Sequence, residues 1–368
     1  MALLDDLRAE TPRMLELLER LVNQDSPSSD IALLQAGADA TAAVMAEVLG
    51  SEPRRLELGG KPHLLWQQGE PRVMLLGHFD TVWPAGTVAR WQFSADGATA
   101  TGPGVYDMKA GIIQALFGTL AAGRPDGVAI LLNSDEEVGA ETSRELIEDV
   151  GRRVGAVLVL EPALDGALKI ARKGVSGYQI RISGLAAHAS MPEQGVNATE
   201  ELAHVALAVA ALADQELGTT CTPTVASAGT AANTIPAEAE LAVDSRAAQA
   251  SEQDRIHEAI TSLRPVLIGT SIEVTGGISR GPMSEEISRD LFQKAQRVAG
   301  ELGLPAIQGV LAPGGSDGQF TAALGVPTLD GLGAVGAKAH AEGEYIEIAG
   351  LAERAALLAG LITDLLRS

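Results

Sequence analysis

Immediately after the apolar run 73–77 the sequence reads His78-Phe-Asp80, and the run 128–133 passes through Ser134 into Asp135-Glu136-Glu137. A third run, 156–160, ends in Glu161-Pro162, while Gly102-Pro-Gly-Val-Tyr-Asp107 sets a further carboxylate after a Gly/Pro turn and ahead of a helical stretch. A His and an Asp two apart in extended backbone project to the same side, so one can ligate a metal while the other tunes it. Adjacent carboxylates repel, and a cation or solvent must relieve them. Singly, each feature has an ordinary explanation: a surface H-x-D pair, an Asp N-cap, a solvated acidic loop. Together they put metal-type ligands at several strand ends, where side chains of α/β sheets do chemistry. Cys221 is the only cysteine, so there is neither an intrachain disulfide nor a thiolate cluster, and a metal would sit on imidazole and carboxylate. Of six histidines, His63, His204 and His257 read as ordinary core or surface residues, whereas His78, His188 and His340 stand in turn-rich segments.

The elements that must position these residues begin with helices expected over 2–20 and 36–49, from apolar positions at helical spacing. Strands follow at 54–67 and 73–77, a helix at 110–122, a strand at 128–133, a helix at 143–150 and a strand at 156–160. Buried strands alternating with amphipathic helices imply an α/β layer with a largely parallel sheet. From 177 to 276 the order changes to strand, helix, strand, strand, helix, strand, with segments at 177–183, 199–213, 224–229, 238–244, 251–263 and 271–276. That order is a ferredoxin-like unit inserted in the first domain. Helices at 291–302 and 351–366 and a strand at 326–329 then resume the first pattern. The expected domains are 1–174 and 284–368 for the α/β part and 175–283 for the insert.

A chain of 368 residues is long enough for two cores, and 46% hydrophobic with 20% charged residues is the balance of a folded protein. The formal net charge of −21, with no run of Lys or Arg, speaks against nucleic acid and anionic membrane as partners. The first ten residues carry acids where a secretory signal carries bases, and no apolar stretch near 20 residues is evident, so a cytoplasmic location is expected.

His78-Phe-Asp80-Thr, Gly102-Pro-Gly-Val-Tyr-Asp107-Met-Lys, Asp135-Glu136-Glu137-Val-Gly, Glu161-Pro, Ala187-His188-Ala and the late His340 stand in the order and approximate spacing of the M20 metallopeptidases. The chain resembles that family over nearly its whole length. Within it the glutamate carboxypeptidase (carboxypeptidase G2-type) branch is most similar, through His78-Phe-Asp-Thr-Val-Trp83 and segment 134–144. The resemblance implies a zinc-exopeptidase-like catalytic domain and an inserted lid and dimerisation domain, hence a homodimer. It implies two Zn2+ ions, with Co2+ or Mn2+ as alternatives, bridged by Asp107. One ion would be completed by His78 and Glu161, the other by Glu137 and His340. Glu136 would be the general base, Asp80 would hold the His78 imidazole, and the peptide Asp107-Met108 would be cis. His188 would polarise the scissile carbonyl, and Asn233, Arg246 and the Gly314-Gly315-Ser316 loop would contact substrate.

The chemistry suits these residue types. Zinc accepts N and O ligands, two close cations need a bridging carboxylate, and a water shared between them loses its proton near neutral pH. The expected reaction is release of a C-terminal, glutamate-like amino acid from a peptide or N-acyl conjugate by that hydroxide. The alternative within the family is an N-acyl amino acid deacylase, of acetylornithine deacetylase or desuccinylase type. Outside it, Gly314-Gly-Ser316-Asp-Gly318 fits the G-x-S-x-G elbow of a serine hydrolase, with Asp330 and His340 following in order. That reading lacks a strand leading into Gly314 and leaves the acidic strand ends unused. A binding protein that kept the fold without the reaction is the non-enzymatic alternative.

Overall fold

The computed structural model describes residues 2–367 and divides into two compact units: Met1–Ala171 with Glu285–Ala312 and Ser316–Ser368, and Arg172–Ser284 with Pro313–Gly315. The first is built on a six-stranded sheet in the order Arg54–Leu58, Lys61–Gln68, Val128–Asn133, Val73–His78, Ala156–Val159, Thr328–Leu329. The three pairings at the Thr328–Leu329 side are parallel and the two at the other side antiparallel. Side chains alternate across the sheet. Leu75, Ile130, Leu132 and Leu158 enter one core with the helices Ala110–Ala121 and Ala349–Arg367. Leu76, Ala129, Leu131 and Val159 enter another with Ile147 and Val150 of Arg144–Gly151 and Phe320 of Gly318–Ala323. Both faces are covered, which is why these strands read as unbroken apolar runs rather than as alternation.

Three local expectations change. The strand anticipated over 54–67 is a hairpin, because Gly59 and Gly60 both take positive φ (56° and 81°), the tight turn that two glycines permit. The first helix is two, Ala2–Ala9 and Thr11–Val22, with Pro12 in the first turn of the second, where its missing N–H costs nothing. An apolar stretch near 20 residues does exist: Ile31–Leu49 has the length and composition of a membrane span, with mean hydropathy 1.3. Its Leu34, Ala38, Val44 and Met45 are buried in the first core, and Asp30 caps its N-terminus.

The second unit holds a four-stranded antiparallel sheet in the order Thr220–Ala228, Glu238–Ala247, Gly174–Ser183, Ser271–Arg280. In chain order this sheet's strands and the two helices Ala198–Ala210 and Ala250–Thr261 run strand, helix, strand, strand, helix, strand. Tyr178, Ile180 and Ile182 alternate inward from Gly174–Ser183 to meet Leu202, Val205, Val209, Ile256 and Ile260 of the two helices. Glu201, fully buried on Ala198–Ala210, accepts from Val266 N (3.0 Å), Leu267 N (2.7 Å) and Thr270 Oγ1 (3.0 Å). Burial raises the Glu201 carboxyl, but those donors outweigh it and hold its pKa below the ordinary 4.5. A depressed pKa stabilises the fold above the unfolded value, a contribution lost as pH falls through the folded one. Glu201→Gln turns an amide toward N–H donors and is expected to cost about 1–3 kcal/mol at neutral pH and less in acid, read by urea unfolding at both.

Candidate metal centre

The parallel strands finish side by side. His78 closes Val73–His78 in register with Asn133, Glu136 and Glu137 occupy the turn after Val128–Asn133, and Glu161 lies two residues beyond Ala156–Val159. Asp107 sits in the turn Val105–Lys109 that feeds the helix Ala110–Ala121. That helix begins against the strand end: a Cβ on Gly111 would stand 2.3 Å from Leu160 O, so only glycine allows the approach. His340 lies in the loop before Tyr345–Glu347 at φ +61°, a conformation that few side chains adopt. The Asp107-Met108 peptide is cis.

One carboxylate stands at the middle of this group. Asp107 Oδ1 is 3.4 Å from His78 Nε2, which is itself 3.4 Å from Glu161 Oε1. Asp107 Oδ2 is 3.3 Å from His340 Nε2, which is 3.1 Å from Glu137 Oε2. The two oxygens thus face two different His/carboxylate pairs. His78, Glu136 and Glu161 also bring ligand atoms within 4.8 Å of one another.

These residues fit cations. His78 Nε2, Asp107 Oδ1 and Glu137 Oε1 are buried without a hydrogen-bond partner, and a cation satisfies such atoms. Electrostatics agree. Burial opposes charge on His78, yet Asp107, Asp80 and Glu161 outweigh it and raise its pKa well above 6.5. Asp107 and Glu137 push His340 up to about 10. Burial raises Asp107, but the two imidazoles overcome it and hold it far below the usual range, whereas burial leaves Glu137 above its own. The cluster draws positive charge strongly, and its imidazole nitrogens and carboxylate oxygens are ligands of the kind zinc takes.

A ring of supports holds the ligands. Asp80 lies 3.4 Å from His78 Nδ1 through Oδ1, accepts from Ser28 Oγ at 2.6 Å, and accepts from Glu136 N and Glu137 N, both at 3.3 Å. It therefore ties the imidazole to the turn carrying the next two acids. Asp135 points away from them and accepts from Thr142 N, Thr142 Oγ1 and Ser143 Oγ, and His63 Nε2 lies 3.0 Å from Thr142 Oγ1. The run of three carboxylates is thus one structural acid and two at the site. Lys169 Nζ stands 3.8 Å from Glu161 Oε2. Glu344, fully buried, accepts from four N–H groups: Tyr106 N, Asp107 N, Gly104 N and Trp83 Nε1. Burial pushes its carboxyl above the ordinary range while those donors pull against it. Sequence reasoning passes over Ser28 and Glu344. The partners of Glu344 are mostly backbone amides, which carry no residue signature, and its only signal is a Glu four places after His340.

The remaining expected residues are placed as follows. Ser316, in the first unit, is fully buried and donates to Asp330 Oδ2 at 2.5 Å. A buried hydroxyl held by a carboxylate is not an exposed nucleophile, and His340 is engaged with Asp107 and Glu137, so the serine-hydrolase reading is corrected. In the second unit, His188 belongs to the two-stranded ribbon Ala187–His188 with Thr234–Ile235, and Ala189 N donates to Asn233 O, which brings His188 and Asn233 together. Ser190 N donates to His188 Nδ1 at 3.2 Å and Ser190 Oγ lies 2.7 Å from the same atom, so the ring is oriented through Nδ1. Gly314 and Gly315 are held by Arg172, whose Nη1 donates to both carbonyls. Arg246 already makes a bidentate pair with Asp244 (2.9 and 2.8 Å).

The pattern of Peptidase family M20/M25/M40 matches residues 74–364. Carboxypeptidase G2 of Pseudomonas sp. (strain RS-16) is 30% identical over 97% of this chain and 90% of its own. Succinyl-diaminopimelate desuccinylase of Xylella fastidiosa (strain 9a5c) is 29% identical over 86% of this chain and 90% of its own. A tripeptidase structure from Staphylococcus aureus shares the fold, with a TM-score of 0.75 at 22% identity, covering 97% of this chain and 99% of that one. A pattern matched across most of the sequence, on a fold that gathers His and carboxylate ligands at its strand ends, places the chain in peptidase family M20/M25/M40, as a metal-dependent hydrolase.

Proposed function

We propose that the chain is a dinuclear zinc amidohydrolase that releases a C-terminal amino acid, glutamate or an acid like it, from a peptide or N-acyl conjugate. The observation that carries this reading is the division of Asp107, one oxygen toward His78 and Glu161 and the other toward Glu137 and His340. His78, Asp107 and Glu161 would hold one ion and Asp107, Glu137 and His340 the other. Ions bound there supply Lewis acidity to the scissile carbonyl and lower the pKa of an attacking water. Glu136 takes the proton from that water at a carboxylate oxygen and passes it to the leaving nitrogen. Asp80 keeps the His78 ring and the Glu136-Glu137 turn in place. His188, oriented through Nδ1, supplies an N–H donor to the carbonyl oxygen as charge develops there. Arg246 meets the substrate carboxylate by exchanging Asp244 for it, an exchange of like geometry.

The carboxypeptidase relative supports the leaving amino acid, and the desuccinylase relative supports the second reading, an N-acyl amino acid deacylase. A hydrolysis screen with zinc, varying the leaving residue of peptidyl and N-acyl substrates, decides between them. Highest kcat/KM is expected for leaving glutamate; preference for N-acyl diamino acids would install the deacylase instead, and activity unaffected by a chelator would overturn both. His188→Ala is expected to lower kcat about 10²-fold with KM little changed, measured by steady-state kinetics; an unchanged kcat removes the oxyanion role. A cytoplasmic homodimer joined through the second unit belongs to the same reading, supported by the largely exposed edge strand Thr220–Ala228.

A further inference from the structure

We propose that Glu344 is the positioning residue that fixes the Asp107 turn against the His340 loop and thereby assembles the ion site made by Asp107, Glu137 and His340. The inference rests on the two-ion reading. Glu344 Oε1 accepts from Tyr106 N at 2.8 Å and Asp107 N at 2.9 Å, and Oε2 from Gly104 N at 3.0 Å and Trp83 Nε1 at 2.9 Å. Its backbone is tied in as well: Thr101 Oγ1 donates to Glu344 O at 2.7 Å, and Tyr345 pairs with Thr101. Lys338 and His340, just before it, both take positive φ (68° and 61°), so the loop needs an external anchor to stay in this conformation. One buried carboxylate therefore grips the backbone of the shared ligand and ends the loop of the last one. The other ion's remaining ligands, His78 and Glu161, come from strand ends of the central sheet and do not depend on it.

The two sites should consequently respond differently to Glu344→Gln, which keeps the side-chain shape but turns an NH2 toward N–H donors. Metal-free full-length protein is titrated with Zn2+ by calorimetry and with Co2+ by visible absorption. Wild type is expected to take two equivalents. E344Q is expected to take the first at wild-type strength and the second about 10- to 100-fold more weakly, with kcat restored by excess zinc. Two equivalents bound at wild-type strength in E344Q overturn the inference and leave the two-ion reading standing. Fewer than two in wild type overturn that reading and the inference with it. Should E344Q not fold, Trp83→Phe removes a single donor to Oε2; selective weakening of the second equivalent supports the role, and equal weakening of both equivalents overturns it.

Discussion

Glu136→Gln is expected to lower kcat by about 10³- to 10⁴-fold while metal content stays at its wild-type value, because a positioned general base contributes about that much to a proton-transfer step. The geometry gives the prediction its selectivity. Glu136 has a ligand atom within 4.8 Å of those of His78 and Glu161, at the edge of the cluster that would hold the ions. Its backbone N–H is fixed on Asp80 Oδ1 at 3.3 Å, a bond that the amide variant keeps. What the variant loses is an oxygen able to take a proton and give it up to the leaving nitrogen. Steady-state kinetics alongside metal analysis of the dialysed protein checks both halves. A kcat within tenfold of wild type would remove Glu136 from the role, and a loss of metal would make it a ligand instead.

Asp107→Asn should fail in the opposite order, losing metal first and rate as a consequence. The shared carboxylate is in contact with both imidazoles, at 3.4 Å from His78 and 3.3 Å from His340. An amide presents one oxygen where two are needed, and its NH2 faces a position that attracts cations. Fewer than two ions per chain are expected after dialysis, and kcat at least about 10³-fold lower, since a Lewis acid is worth several kcal/mol and each 1.36 kcal/mol is tenfold. Two retained ions with near wild-type turnover would show that the bridge is not at Asp107. Measured together, the two variants separate the residue that moves a proton from the residue that gathers the ions.

Some of this could be read from the chain alone, and the reason is locality. Apolar runs buried on both faces end abruptly where a polar side chain must leave the sheet, so His78, the Glu136-Glu137 pair and Glu161 mark themselves at the boundaries of 73–77, 128–133 and 156–160. The strand-helix order of both units follows from the same patterning. The hairpin at Gly59-Gly60 is equally local, but 54–67 reads as one long apolar-polar run that hides the turn.

What the tertiary structure alone decided lies in contacts between segments distant in sequence and in groups that every residue shares. Asp135, Glu136 and Glu137 look equivalent in sequence, but only packing turns the first toward Thr142 and Ser143 and the others toward the site. Ser316 carries an elbow-like motif, and burial beside Asp330 removes it from the role of nucleophile. The two oxygens of Asp107 acquire different partners because His340, more than 200 residues later, returns to it. Glu344 is invisible for a related reason: backbone N–H groups are the same at every position, so a carboxylate that binds them is identified by the path of the chain and not by the letters around it.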